Sequence, residues 1–247
     1  MKAIILAAGY ATRLYPLTKD KPKPLLVVAG KPMVEHILDK IKVLDEVDEI
    51  FIVANNKFYK HFLEWLDGFS YPKKIKIIND RTNTNEDRLG AIGDIDFVIK
   101  KENVSGDLLV IAGDNLFEFS LRNFIDYFKE KKTSVIALFD MKEKEKVANK
   151  FGVVVIDENR KVIDFEEKPA EPKSTLAATA CYLYTKEDIT KLKDYLKERE
   201  STDAPGHFFE YLSKQKPVYA FIFEGRWWDI GNLEQMEEAD KEFKDNS

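Results

Sequence analysis

Lys2-Ala3-Ile4-Ile5-Leu6-Ala7-Ala8-Gly9-Tyr10-Ala11-Thr12-Arg13 decides how this chain is read. Lys2 to Ala7 has the composition of a short buried strand. It runs directly into small residues and a polar loop, which closes at Lys23-Pro24-Leu25-Leu26. A strand that ends in small residues lets backbone N–H groups approach a phosphate closely. Two cations on the same loop, Arg13 and Lys23, can then neutralise a polyphosphate. The loop is not a dinucleotide fingerprint, since Gly9 has no glycine two residues on, and no Gly-Lys-Ser/Thr follows to make a P-loop.

Outward from this stretch, strands and helices alternate. Ile50–Ala54, Ile75–Ile78, Leu108–Ala112 and Ser134–Leu138 are short apolar runs, as expected of parallel strands covered on both faces. Met33, Ile37, Ile41 and Leu44 make one helical stripe, and Leu121, Phe124, Ile125 and Phe128 another. The alternation predicts an α/β fold, a doubly wound, mostly parallel sheet in a Rossmann-like three-layer sandwich. Ligands of such sheets bind at the carboxyl ends of the strands. That rim should bring Gly9 to Arg13 beside Gly113-Asp114-Asn115. From Phe151 the texture becomes richer in β: a hairpin over 152–165, strands at 177–184 and 218–223, and helices at 186–197, 207–214 and 233–243. No linker separates the halves, so one domain over 1–247 is expected, divided at about residue 140.

Composition narrows the chemistry. Hydrophobic residues are 44 % of the 247, ample for a packed core. Formal net charge is −5, which disfavours nucleic acid as a partner and assigns any bound anion to a local basic site. Cys181 stands alone, so no disulfide or cysteine metal site is expected. No run approaches the ~20 apolar residues of a membrane span, and no signal peptide is read. The expected compartment is a reducing cytoplasm.

Leu6-Ala-Ala-Gly-Tyr-Ala-Thr-Arg-Leu-Tyr-Pro-Leu-Thr18, with Lys23-Pro24 and Lys31-Pro32-Met33, resembles the signature of the sugar-1-phosphate nucleotidylyltransferases. The motifs lie nearest to those of the glucose-1-phosphate thymidylyltransferases. The likeness returns at Gly113-Asp114-Asn115, Phe151-Gly152-Val153-Val154, Phe165-Glu166-Glu167-Lys168-Pro169 and Trp228-Asp229-Ile230-Gly231. The resemblance implies transfer of a nucleotidyl group from a nucleoside triphosphate, dTTP or UTP favoured, to a hexose 1-phosphate, glucose 1-phosphate favoured. It implies Mg²⁺ held by Asp114 and Asp229, Arg13 on the leaving pyrophosphate and Lys23 on the α-phosphate. Ala7, Ala8, Gly9, Gly90 and Asp114 would line the nucleotide site. Lys168 would hold the sugar's phosphate, Glu167 its hydroxyls, and Gly152 would offer backbone to the sugar.

The base-reading loop falls at 79–90, where Asn83 or Asn85 could pair with a pyrimidine edge. This loop lacks the glutamine and the prolines of the thymidylyltransferases, and Ala8, Ala11 and Ala180 stand where glycines are common. Other readings are a cytidylyltransferase acting on phosphocholine or inositol phosphate, and a non-catalytic sensor of NDP-sugars. Retention of Phe165 to Pro169 argues for a sugar, and the complete set of cations and carboxylates argues for an enzyme. A homo-oligomer is compatible with the chain. His36, His61 and His207, like Trp227 and Trp228, are expected to serve the structure.

Overall fold

The computed structural model describes residues 1–198 and 202–243. Strand β1 (Lys2–Leu6) places Ile4 on one face and Ile5 on the other, both fully buried. Each contributes about 1.5–3 kcal/mol of burial. A two-stranded ribbon, β2 (Val27–Val28) and β3 (Lys31–Pro32), leads into α1 (Met33–Lys42), whose apolar stripe at Met33, Ile37 and Ile41 is buried. Then follow β4 (Glu49–Ala54), α2 (Tyr59–Asp67), β5 (Lys74–Asn79) and α3 (Gly90–Glu102). Next come β6 (Leu108–Ala112), β7 (Asn115–Phe117), α4 (Leu121–Lys131) and β8 (Val135–Asp140).

The second half is richer in β, as expected. A short α5 (Lys144–Val147) precedes the hairpin β9 (Gly152–Ile156) and β10 (Val162–Glu167), then the long β11 (Leu176–Tyr184). Helices α6 (Lys186–Thr190), α7 (Leu192–Glu198) and α8 (Gly206–Ser213) precede β12 (Tyr219–Phe223), β13 (Trp227–Asp229) and α9 (Leu233–Glu242). One correction falls here: the helix expected over 186–197 is two. Asp188 is fully buried and accepts from Ser134 Oγ (2.6 Å) and Lys216 Nζ (2.7 Å). Drawing that side chain inward ends the first helix in a tight turn, Lys191 N to Asp188 O at 3.0 Å.

Strands β5, β4, β1 and β6 lie side by side and parallel; Lys2 sits level with Glu49 on one flank and Leu108 on the other. Beyond β6, β11 enters antiparallel, with Cys181 opposite Ile111. Strands β8 and β12 continue the nine-stranded sheet as a parallel pair, and β9 and β10 branch from the start of β11. Residues of α1, α2 and α4 pack on one face and those of α3, α7 and α8 on the other, which makes three layers. Cys181 is fully buried, and burial pushes its thiol well above the ordinary range. Among the described residues no helix is long and apolar enough to cross a membrane.

Candidate active site

Two sequence-distant segments meet at the carboxyl ends of β1 and β6. Gly113 N donates to Leu6 O at 2.8 Å, and a Cβ at Gly113 would come within 2.8 Å of that same oxygen. Only glycine allows the approach, and it sets the next residue, Asp114, beside the loop that follows β1. Lys23, on a 3-10 turn anchored by buried Pro24 and Leu25, donates Nζ to Asp114 Oδ2 at 2.6 Å. The lysine side chain is 11 % exposed and the carboxylate 32 %, so the pair is screened less than a surface contact.

Asp229 reaches the same wall through a second ladder. Strand β13 pairs antiparallel with β7, and Asp229 stands opposite Asn115, the neighbour of Asp114. Asn115 is buried; its amide donates to Thr179 O and accepts from the Trp227 indole N–H. One side chain therefore fastens the β7–β13 ribbon to β11. Asp114 and Asp229 line a common cleft. Burial raises the Asp229 carboxyl above its usual range and the Asp114 charge raises it further, while Lys23, Arg13 and Lys168 pull the other way. Solvent still touches Asp229 from the cleft, although protein atoms surround it closely. All three cations named from the sequence thus act on one carboxylate.

The loop after β1 is held open by local bonds. Ala7 N donates to Val53 O at 2.9 Å and Ala8 O accepts from Asn55 Nδ2 at 2.9 Å, so these alanines spend their backbone groups on the sheet. Ala11 is left-handed at φ 46°, where glycine is at ease, and Thr18 Oγ1 clamps its carbonyl at 2.7 Å. Arg13 is exposed on the turn Thr12–Leu14.

Gly152, Glu167, Lys168 and Ala180 line the cleft together with the two aspartates. Lys168 is left-handed (φ 48°), and its N–H donates to Phe151 O at 3.1 Å. Burial raises the Glu167 carboxyl, against the pull of Lys168 and His207. The glycine at 152 also has a packing reason. A Cβ there would lie 2.8 Å from Phe165 Cζ and 3.0 Å from Glu167 Oε2, so the glycine admits Phe165 and Glu167. Ala180 takes φ 51° at an irregularity in β11, a backbone at which glycine is at ease. Trp228 packs against Phe243, whereas Trp227 also lines the cleft.

A second cleft opens on the other side of β1, lined by Ala8, Gly9, Asp80, Arg88, Gly90 and Asp94. Its lining includes neither Asn83 nor Asn85. The Asp87 carboxylate accepts from the N–H groups of Asn83 and Thr84, which folds the loop tip on itself. Asn83 Oδ1 accepts from Asn56 Nδ2 at 2.8 Å, and Asn85 O accepts from Arg88. The acidic side chains Asp80 and Asp94, not singled out in the sequence, line this cleft instead. Gly90 is at φ +75°, where a Cβ would meet Thr202 O at 2.5 Å. Ala91 N and Ile92 N donate to Asp203 O and Thr202 O, and Arg88 makes a two-pronged pair with Asp203. The segment 202–206 thus reaches both clefts, since Pro205 and Gly206 line the first.

Among the described residues no group of three or more His, Cys, Asp or Glu side chains gathers to hold a metal. The donor set at the rim is two mutually repelling carboxylates with cations nearby. That suits Mg²⁺, which takes one or two carboxylates and completes its shell with phosphate oxygens and water. It does not suit zinc, which prefers a closed nitrogen and sulfur set.

Cations, paired carboxylates and small residues gathered at the strand ends of a doubly wound sheet define a phosphate-handling α/β protein. Residues 2–246 match the nucleotidyl transferase family, and the chain belongs to it. It is 34 % identical to the "Bifunctional protein GlmU" of Methanocaldococcus jannaschii, over 98 % of this chain and 54 % of that one. It is 30 % identical to a "Putative mannose-1-phosphate guanyltransferase" of Sulfolobus acidocaldarius, over 94 % and 60 %. The chain therefore spans somewhat more than half the length of these relatives. A crystal structure of a "Putative Glucose-1-Phosphate Thymidylyltransferase" from Bacillus anthracis superposes with a TM-score of 0.82 at 28 % identity, over 98 % of this chain and 94 % of that one. A UDP-glucose pyrophosphorylase shares the fold at 20 % identity, with a TM-score of 0.80 over 97 % of each chain.

Proposed function

We propose that the chain is a sugar-1-phosphate nucleotidylyltransferase, joining a nucleoside triphosphate to a hexose 1-phosphate with release of pyrophosphate. The resemblance of its motifs favours dTTP or UTP as donor and glucose 1-phosphate as acceptor. The observation that carries the reading is the convergence of Lys23, Asp114, Asp229 and Lys168 on one rim. The sugar phosphate is already an anionic nucleophile, so catalysis here is positioning and charge neutralisation.

In this reading Lys168 holds the acceptor's phosphate and Glu167 accepts from its hydroxyls. Lys23 neutralises the α-phosphate as charge builds there, and Arg13 stabilises the departing pyrophosphate. Asp114 and Asp229 would hold Mg²⁺, which supplies Lewis-acid screening between the two anions when bound. The sugar phosphate oxygen attacks the α-phosphorus in line, opposite the leaving group. Residues to about 140 form the nucleotide half and those beyond it the sugar-phosphate half. The proposed setting is the cytoplasm.

The test is pyrophosphate production with Mg²⁺, each of dTTP, UTP, CTP, GTP and ATP, and a panel of sugar 1-phosphates. Turnover with at least one pair is expected, and Asp114→Asn should abolish it while the protein stays folded. No pyrophosphate from any pair would overturn the reading.

A further inference from the structure

The second cleft contains an acid pair that no step above uses. Asp94, one turn into α3, is 6 % exposed and Asp80, just after β5, is 4 % exposed. Asp80 is well supplied: its Oδ1 accepts from Thr82 N at 2.7 Å and from Thr82 Oγ1 at 2.9 Å, and its Oδ2 lies 3.0 Å from the same hydroxyl. Thr82 Oγ1 also meets Tyr10 OH at 3.3 Å. Asp94 hydrogen-bonds the Asp80 carboxyl, which requires the two acids to share a proton. Burial first, and the Asp80 charge second, push the Asp94 carboxyl well above the usual carboxylate range. Asp94 Oδ1 is left buried with no hydrogen-bond partner. Because Asp94 lines the cleft, a donor bound there is placed to satisfy it.

The place of the cleft says what that donor belongs to. Ala8 and Gly9, which begin the loop carrying Arg13, form part of its wall, and Gly90 and Ala91 at the start of α3 form another part. The sugar-phosphate residues lie on the β6 side of β1, whereas Asp80 and Asp94 lie on the β4 and β5 side. A triphosphate on the central loop therefore has its nucleoside in this second cleft.

We propose that Asp94 is the base-reading residue, its unpaired oxygen accepting a hydrogen bond from a protonated ring nitrogen of the nucleobase. This rests on the nucleotidyl-transfer reading above. Uracil and thymine offer N3–H and guanine offers N1–H. Cytosine and adenine turn a ring lone pair to the same position, so acceptor would face acceptor. Donors with a ring N–H are selected as a class.

Two variants and one analogue test this. Asp94→Asn keeps a carbonyl oxygen for the base and an N–H₂ for Asp80, so the ranking of the five triphosphates should persist. Asp94→Ala removes the acceptor. It should raise KM for the preferred triphosphate about 10- to 100-fold, flatten the ranking, and leave KM for the sugar phosphate within about twofold. N3-methyl-UTP, which lacks the ring N–H, should compete at least about tenfold more weakly than UTP against wild type, and equally with UTP against Asp94→Ala. Unchanged triphosphate KM and ranking in Asp94→Ala, or equal competition by the methylated nucleotide in wild type, would overturn the proposal. If wild type turns over no pair, nucleotidyl transfer fails. Protection from thermal unfolding by UDP against N3-methyl-UDP then still decides the role of Asp94, and equal protection, or none by either, overturns it.

Discussion

Replacing Asp229 by asparagine should stabilise the unliganded protein and remove its response to Mg²⁺, two effects of opposite sign. In the fold, burial and the neighbouring Asp114 raise the Asp229 carboxyl. A carboxyl raised above its unfolded value favours folding below a pH of about 4 and opposes it at neutral pH, where it must ionise. Asparagine relieves that penalty. Because solvent touches Asp229 through the cleft, the gain is held to about 0.3–1 kcal/mol, roughly 1–4 °C for a chain this size. Mg²⁺ acts in the other direction. At about 100 times its dissociation constant it should add about 2.7 kcal/mol, roughly 5–11 °C, to wild type. Loss of one of two carboxylate ligands weakens binding by at least about 100-fold, leaving under about 0.4 kcal/mol, or roughly 1–2 °C, at the same concentration. Calorimetric unfolding of metal-stripped protein at neutral pH, with Mg²⁺ titrated back, measures both numbers. A variant less stable than wild type without metal, or one keeping the full Mg²⁺ shift, would refute the reasoning.

Further outcomes follow from other contacts. Lys23→Ala removes the cation 2.6 Å from Asp114 and should lower kcat/KM about 10²- to 10³-fold, read by pyrophosphate release, with far-ultraviolet dichroism unchanged. Gly90→Ala forces a side chain into φ +75° and against Thr202 O at 2.5 Å; roughly 2–4 kcal/mol of strain should lower the melting temperature by roughly 4–16 °C. Glu46 is held down to about 2, by Lys129 first and with help from Arg122. Its contribution, about 1 kcal/mol after solvent screening, should be complete above a pH of about 4.5 and vanish toward pH 2. Urea midpoints of wild type and Glu46→Gln should therefore differ at pH 6 and converge at pH 2.

The parallel core was legible because strand residues buried on both faces are apolar without interruption, as in Ile50–Ala54 and Leu108–Ala112. The meeting of Asp114 with the first loop followed from the rule that strand ends share a rim. Asp229 needed the family motif, since nothing in Trp227-Trp228-Asp229 announces its pairing with Asn115. What escaped was set by tertiary bonds. Asn83 and Asn85 have the chemistry of base readers, yet bonds to Asp87 and Arg88 fold their loop tip on itself, and neither asparagine lines the cleft. Asp94 sits where helical periodicity expects an inward apolar residue, and an inward aspartate was a visible anomaly in Ile92-Gly93-Asp94-Ile95. The left-handed backbones of Lys168 and Ala180 leave no trace in residue type.

In the proposed reaction, recognition of the two substrates is built from different parts of the chain. β5 and the start of α3 shape one pocket, and the β9–β11 group with the start of α8 shapes the other. Exchange of side chains on one flank can retune its own ligand while the other keeps its affinity, which gives this scaffold a combinatorial route to new donor and acceptor pairings. Thr202 to Gly206 is a crosspiece between the flanks, so under the proposed reaction a substitution there is expected to move both affinities at once.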